Sequence, residues 1–430
     1  LSEAKHQITT LDNGLRVVTE RFDNVRSIAL SIMVGVGSRN ETADQAGLSH
    51  FLEHLLFKGG EKYSSSEIDE FFDSIGAEVN ASTNKEVTTV YARFLDRHLD
   101  AAFDHIAEMV MNSTFEDIDA ERQVVIEEIA MYEDEPSDIV FDLLGRRVFG
   151  DSPLGRRIIG TEAVVGGVSV EQIAAYRDQQ YVPGNIVIAA AGAVDHERIV
   201  ELAESFGFDR PGTAPAYEAA APPQYPTFGF FVKETEQVNV ALGAPGIARG
   251  DDRRFAMMVL NTIFGSSTTS RLFQEVREKR GLAYAVYSYS QMYRDSGEVG
   301  LYVGTRPDRV SESIEIFARE LGRLVEEPAR PEEFARAKEN LKGRTALSME
   351  SPMGRMLQLG GSVLFDVPVL SLDEIERRID GVSLDDLRAI SAEFHRPERF
   401  NVAAVGADEE LVRSALESLN PDLAKAPLAA

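Results

Sequence analysis

Two of the chain's seven histidines stand in His50-Phe51-Leu52-Glu53-His54. On a helix the spacings i, i+3 and i+4 put His50, Glu53 and His54 on one face and leave Phe51, Leu52, Leu55 and Leu56 to pack elsewhere. A neutral imidazole pair one turn apart can chelate Zn²⁺, and a neighbouring carboxylate can take a proton from water whose pKa the metal lowers to about 7. The plainer reading is two surface histidines bridged to a helix glutamate. Two imidazoles do not complete a catalytic zinc site, which usually has three protein ligands and one open position. The chain has no cysteine, which excludes thiolate metal sites, a cysteine nucleophile and disulfide frameworks. The third ligand must then be His98, His105 or a carboxylate.

The best carboxylate source is Glu121-Arg-Gln-Val-Val-Ile-Glu127-Glu128, read as a helix with Val124, Val125 and Ile129 toward the core. Glu121 and Glu128 lie two turns apart on one face, and Glu127 is rotated by about 100°. A ligand with a second carboxylate on its face can be oriented by hydrogen bonding. Alone the signal is weak, because Glu116 to Asp138 holds ten acids and one base, and acidic helices are usually solvated faces.

The order His50-x-x-Glu53-His54, then Glu121-x6-Glu128 about 75 residues later, closely resembles the inverzincin metallopeptidases of family M16, which includes pitrilysin, insulin-degrading enzyme and mitochondrial processing peptidase. The resemblance implies one Zn²⁺ per chain held by His50, His54 and Glu128. It makes Glu53 the general base and Glu121 a support of the site. In the second half, Arg277-Glu-Lys-Arg-Gly-Leu-Ala-Tyr284 is similar to the family's Arg/Tyr pair, which implies that Arg277 and Tyr284 hold the substrate carbonyl and stabilise the tetrahedral intermediate. A guanidinium and a phenol are donors suited to an oxyanion; a solvated arginine and a strand tyrosine are the alternative. The resemblance also nominates Ala77–Thr83, around Asn80 and Ala81, as an edge strand that binds substrate by backbone pairing.

The elements that would position these residues come in two similar sets. The first half reads as strands 15–19 and 28–36, helices 46–57 and 66–74, strands 77–83 and 87–95, then helices 99–111, 117–131 and 138–149. The second half has strands 237–243 and 283–291, a helix 252–264, and long helices from Val310 and Pro331. Ser64 and Glu67 are placed for a capping box on the second helix. Val168-Ser169-Val170-Glu171, Pro183 and Gly192 recur as Val382-Ser383-Leu384-Asp385, Pro397 and Gly406 at an offset of 214, which points to duplication. Between Pro211 and Pro226 lie five of the 17 prolines, a linker. The expected domains are therefore 1–210, with the zinc site, a linker 211–226, and 227–430, with the Arg/Tyr pair. The fold class is α+β: two duplicated α/β-layer domains, each a mixed, largely antiparallel sheet packed with helices, which the resemblance makes a LuxS/metalloenzyme-like fold.

The second copy lacks the metal chemistry. Matching His50–Phe57 to Met257–Phe264 puts Met257 and Asn261 at the histidine positions, and the helix matching Glu121–Glu128 falls near 335–344 with Lys or Arg at the final ligand. Only His395 occurs in that half.

The 430 residues carry 71 acids and 44 bases, a formal charge of -27, which repels nucleic acid and anionic lipid. The acidic run Glu133-Asp134-Glu135 reads as a solvated helix terminus or a receiver of basic side chains. No apolar stretch reaches the roughly 20 residues of a membrane span. A bacterial cytoplasmic location is expected, and the start at Leu1 leaves a removed leader open. The resemblance implies a zinc metalloendopeptidase (EC 3.4.24 type) acting on unfolded peptides. Its two-domain length implies the short M16B-like subfamily, a homodimer whose chamber and active site are shared between subunits. The alternatives are a non-catalytic scaffold subunit of a processing-peptidase-like heterodimer, or a peptidase dedicated to presequences or one precursor.

Overall fold

The computed structural model describes residues 6–220 and 226–428. Among them the strands are β1 (His6–Thr10), β2 (Arg16–Arg21), β3 (Ser27–Val34), β4 (Glu78–Thr83), β5 (Thr88–Leu95), β6 (Ile186–Gly192), β7 (Phe228–Val232), β8 (Val238–Pro245), β9 (Ala283–Met292), β10 (Gly297–Thr305) and β11 (Asn401–Gly406). They form two sheets, ordered β1-β2-β6-β3-β5-β4 and β7-β11-β8-β10-β9. In each sheet one pair is parallel, β2 with β6 and β7 with β11, and every other pair is antiparallel. The second sheet repeats the order of the first without β1.

The repeat has a local physical basis. Ser169 and Ser383 each cap a helix, Val170–Gln180 and Leu384–Phe394, through capping boxes closed by Gln172 and Asp386. In each copy a tight turn at Pro183 or Pro397 then feeds a fully buried strand ending at Gly192 or Gly406. The Ser64/Glu67 capping box also forms, with Ser64 N–H donating to Glu67 Oε2 at 2.8 Å.

The compact units are not the two linear stretches on either side of the linker. One contains residues 1–129, 157–218 and 346–371; the other contains 130–156, 219–345 and 372–430. The reason lies in strands that are apolar on both faces. In β3, Ile28, Leu30, Ile32 and Val34 join the core under Phe51 and Leu52, while Ala29 and Met33 face Met356 and Leu359 of the helix Pro352–Leu364. That helix comes from the sequence's second half. A Cβ on its Gly360 would sit 2.5 Å from Met33 Sδ and 2.9 Å from Ala189 Cβ, so glycine lets the helix lie this close to the sheet. Conversely, helix Pro136–Phe149 packs Val140, Leu144 and Val148 against Ala241, Ala403 and Val405 of the second sheet. Each half lends the other one covering helix.

Residues 211–220 have no regular structure, and 221–225 of the expected linker lie outside the described residues. Glu135 caps the helix Pro136–Phe149 by accepting from the Ser137 N–H, so the acidic run 133–135 is a helix terminus. Among the described residues no helix is long and apolar enough to cross a membrane.

Candidate metal centre

The first motif folds as the helix Leu48–Leu55, here called the motif helix. Phe51, Leu52 and Leu55 are fully buried, each worth roughly 1.5–3 kcal/mol, and this anchoring turns His50, Glu53 and His54 to the opposite, partly exposed face. The second motif lies on the acidic helix Ile118–Asp134. Its buried stripe is Ile118, Glu121, Val125 and Ile129. Val124, expected in the core, is instead 52% exposed, because it lies about 100° from the stripe that Val125 and Ile129 define.

These faces meet. Glu128 Oε2 is 3.3 Å from His54 Nε2 and 3.7 Å from His50 Nε2, and one ligand atom from each residue falls within 4.8 Å of the others. His54 Nδ1 lies 2.8 Å from Glu121 Oε1, whose second oxygen takes Lys58 Nζ at 2.8 Å. Burial would raise the Glu121 pKa, but the hydrogen bonds from Lys58 and His54 outweigh it and hold the carboxyl below its usual range. An ionised Glu121 fixes the proton of His54 on Nδ1, which leaves the Nε2 lone pair aimed at Glu128. Burial, the dominant cause, lowers His50 to about 4, so at neutral pH it is an uncharged imidazole. Three lone-pair donors thus converge, repelling one another unless a cation lies between them. Two imidazoles and one carboxylate suit Zn²⁺ with an open position.

Glu53 stands beside this cluster. Burial raises its pKa, and Glu128 adds to the shift, while a hydrogen bond from Thr83 and the nearby His54 oppose it. Its Oε2 is buried and has no hydrogen-bond partner among the described residues. Thr83 ends β4, which pairs only with β5 and so forms the outer edge of the first sheet. Asn80 is exposed and Ala81 half-buried on that strand, and the Asn80 Oδ1 accepts from the Ala81 N–H at 2.8 Å. The other candidate ligands lie elsewhere. His105 is stacked between Tyr63 and Phe71 at 4.0 and 3.8 Å, and His98 Nε2 accepts from Arg97.

Lys58, Thr83 and a buried Glu41 were not legible as site residues. Lys58 had a usable signal, four residues beyond His54 on the same helical face. Thr83 had none, since Glu53 lies thirty residues before it; Glu41 stands only six and eight residues before its partners Gly47 and Ser49, but a carboxylate reaching across a loop leaves no periodic signal.

In the other unit, Arg277 lies on a π-helical turn, Phe273–Glu278, immediately before β9. Its guanidinium is 4.8 Å from the Phe273 ring centroid and 4.2 Å from that of Tyr284, and its Nη1 donates to the Tyr284 carbonyl at 3.1 Å. Tyr284 is 78% exposed. Arginine and tyrosine are therefore brought together as a pair, with the phenol open to solvent.

The second copy of the metal scaffold differs from the sequence match by one residue. Asn261 Oδ1 accepts from Ser288 Oγ of β9 at 2.6 Å, as Glu53 accepts from Thr83 of β4. This puts Asn261 at the position of Glu53, Met258 at that of His50 and Thr262 at that of His54. Burial of Glu333, Ala337 and Leu341 on the helix Pro331–Met349 repeats that of Glu121, Val125 and Ile129. Asn340, rather than a lysine or arginine, then matches Glu128. The sequence match followed apolar identity, which tolerates a one-residue slip; the strand hydrogen bond does not.

Residues 16–162 match Insulinase (Peptidase family M16), and residues 167–341 match the Peptidase M16 inactive domain. The chain belongs to peptidase family M16. It is 42% identical to an uncharacterized zinc protease of Streptomyces coelicolor, covering 89% of this chain and 86% of that one. An uncharacterized zinc protease of Bacillus subtilis is 39% identical, covering 90% and 94%. The fold is similar to a peptidase M16 inactive domain from Pseudomonas fluorescens (TM-score 0.89, 21% identity, 94% and 99% covered) and to a protease from Helicobacter pylori (0.85, 22%, 94% and 99%).

Proposed function

We propose that this chain is a zinc-dependent endopeptidase that hydrolyses unfolded peptides. The observation that carries the reading is the convergence of His50, His54 and Glu128, with His54 oriented by Glu121 and Glu53 alongside. Bound there, zinc supplies Lewis-acid polarisation of a carbonyl and acidification of water. Glu53 takes the water's proton on its unpartnered Oε2 and returns it to the leaving amine. Arg277 and Tyr284 donate to the developing oxyanion. The free edge of β4 around Asn80 and Ala81 accepts the peptide as an added strand. A bacterial, cytoplasmic setting is part of the proposal, in keeping with the bacterial relatives.

Metal analysis combined with cleavage of an unfolded-peptide library tests it. One zinc per chain and cleavage abolished by a chelator are expected; a zinc-loaded protein that cuts nothing would sink the reading and favour the non-catalytic scaffold.

The proposal extends to a homodimeric chamber, supported by the division of the functional residues between two compact units. Zinc held by one subunit would face Arg277 and Tyr284 of the partner subunit. Chains carrying Glu53→Gln and Arg277→Ala, inactive separately, should recover activity when mixed. No recovery in confirmed mixed dimers would place the whole site within one chain.

A further inference from the structure

The motif helix begins at a glycine that cannot cap it. Gly47 takes φ +98°, and a Cβ there would lie 2.8 Å from both Gly160 Cα and Ile159 O. The side chains that ordinarily satisfy a helix's first N–H groups, Ser, Thr, Asp and Asn, are thereby shut out. A carboxylate from elsewhere takes their place. Glu41 Oε2 accepts from the Gly47 N–H at 2.8 Å, and its Oε1 from the Ser49 N–H at 2.7 Å. Glu41 is only 3% exposed. Burial raises the Glu41 pKa above the usual carboxylate range, against the hydrogen bonds from Ser49 and Gly47 that oppose the shift.

Glu41 is also tied to the other side of the site. It follows residues 37–40, which lie along the turn between β4 and β5. There Ser38 N–H donates to Asn84 O at 3.3 Å and Arg39 N–H to Lys85 O at 2.8 Å, and Arg39 Nη1 meets Glu86 Oε1 at 2.6 Å in a buried pair. β4 carries Thr83, the hydrogen-bond donor to Glu53. One short segment therefore holds the turn behind β4 at one end and the start of the motif helix at the other.

We propose that Glu41 is a positioning residue that sets the rotation of the motif helix relative to β4, and so aims His50, Glu53 and His54. This rests on the reading of the site as a metal centre. The tolerance explains why such a strut is needed. Side-chain tips stand about 5–6 Å from a helix axis, so a 20° rotation moves them by about 2 Å. Metal ligands must be placed within about 0.2 Å.

The test uses full-length Glu41→Ala and Glu41→Gln chains. Glutamine keeps the shape but turns a donor toward one of the two N–H groups. In metal-free protein, hydrogen exchange across residues 47–55 should be at least tenfold faster in both variants, with the rest of the chain unchanged. Zinc affinity by chelator competition should fall at least tenfold. On an unfolded peptide substrate kcat should fall at least tenfold with KM within twofold. Should Glu41→Ala unfold, Glu41→Gln decides. Wild-type exchange and zinc affinity in a folded variant, or exchange raised uniformly along the chain, would overturn the proposal. Local exchange and weakened zinc in a protein whose wild type cuts no peptide would uphold the positioning role and defeat the peptidase reading instead.

Discussion

The candidate metal centre and its counterpart in the second copy use the same three parts: a helix, an edge strand hydrogen-bonded to it, and a long helix whose buried stripe faces it. Glu53 with Thr83 becomes Asn261 with Ser288. Glu121, Val125 and Ile129 become Glu333, Ala337 and Leu341. What has gone is the charge and the imidazole lone pairs. Met258 and Thr262 replace the histidines, Asn340 replaces Glu128, and Glu333 pairs with buried Arg271 at 3.0 Å instead of orienting a ligand. Packing can therefore be kept while chemistry is removed, because stripe and site occupy different faces of the same helices. In the second unit the residues proposed for chemistry, Arg277 and Tyr284, sit at the head of β9.

The largest expected effect separates Glu53, the proposed general base, from its neutral counterpart. Glu53→Gln, close to what Asn261 already is, should keep zinc while lowering turnover by about 10³-fold, within the usual range for a lost acid–base group. Near-normal turnover in the zinc-loaded variant would show that the carboxylate is not the base.

A smaller effect isolates the support carboxylate. Glu121→Gln should weaken zinc binding by about 10–100-fold, read by chelator competition, because His54 Nδ1 loses an ionised acceptor. Unchanged affinity would mean that Glu121, like Glu333, serves structure rather than a metal ligand.

The register itself can be tested by restoring ligands to the second copy. Met258→His with Thr262→His and Asn340→Glu should add a second, weaker zinc site by equilibrium dialysis. The same change made at Met257 and Asn261 should not. Zinc uptake by the latter alone would restore the sequence match.

The smallest effect concerns His395, the one histidine of the second half. Burial, the dominant cause, lowers it to about 4, so it is neutral when folded and binds a proton on unfolding below about pH 6.5. Its stability contribution is full above that pH and is lost as pH falls toward 4, an amount on the order of 3 kcal/mol. Thermal melting of wild type against His395→Gln between pH 7 and 4.5 should show a steeper acid-side loss in the wild type. Parallel curves would show that the lowered pKa is absent.

Much of the candidate site was legible because it is written in short-range spacing. The i, i+3, i+4 set on one helix and the i, i+7 pair on another need only helical periodicity. The Ser169 and Ser383 capping boxes, the prolines and the terminal glycines of β6 and β11 marked the duplication for the same reason. Legibility ended where contact depended on distant residues. Val124 reads as core beside Val125, yet only the packed helix decides which of two adjacent valines is covered. β1, β7 and β10 carry no periodic signal that sets them apart from neighbouring extended segments.

By itself the sequence determined the candidate ligand types, the helical faces they share and the doubled architecture, since composition and helical repeat suffice for each. Only the tertiary structure decided that Glu128 meets both histidines while Glu121 holds one of them, and that each sheet is covered by a helix from the other half. Those outcomes depend on which buried faces pair across long stretches of chain, and an apolar face records only that it must be covered.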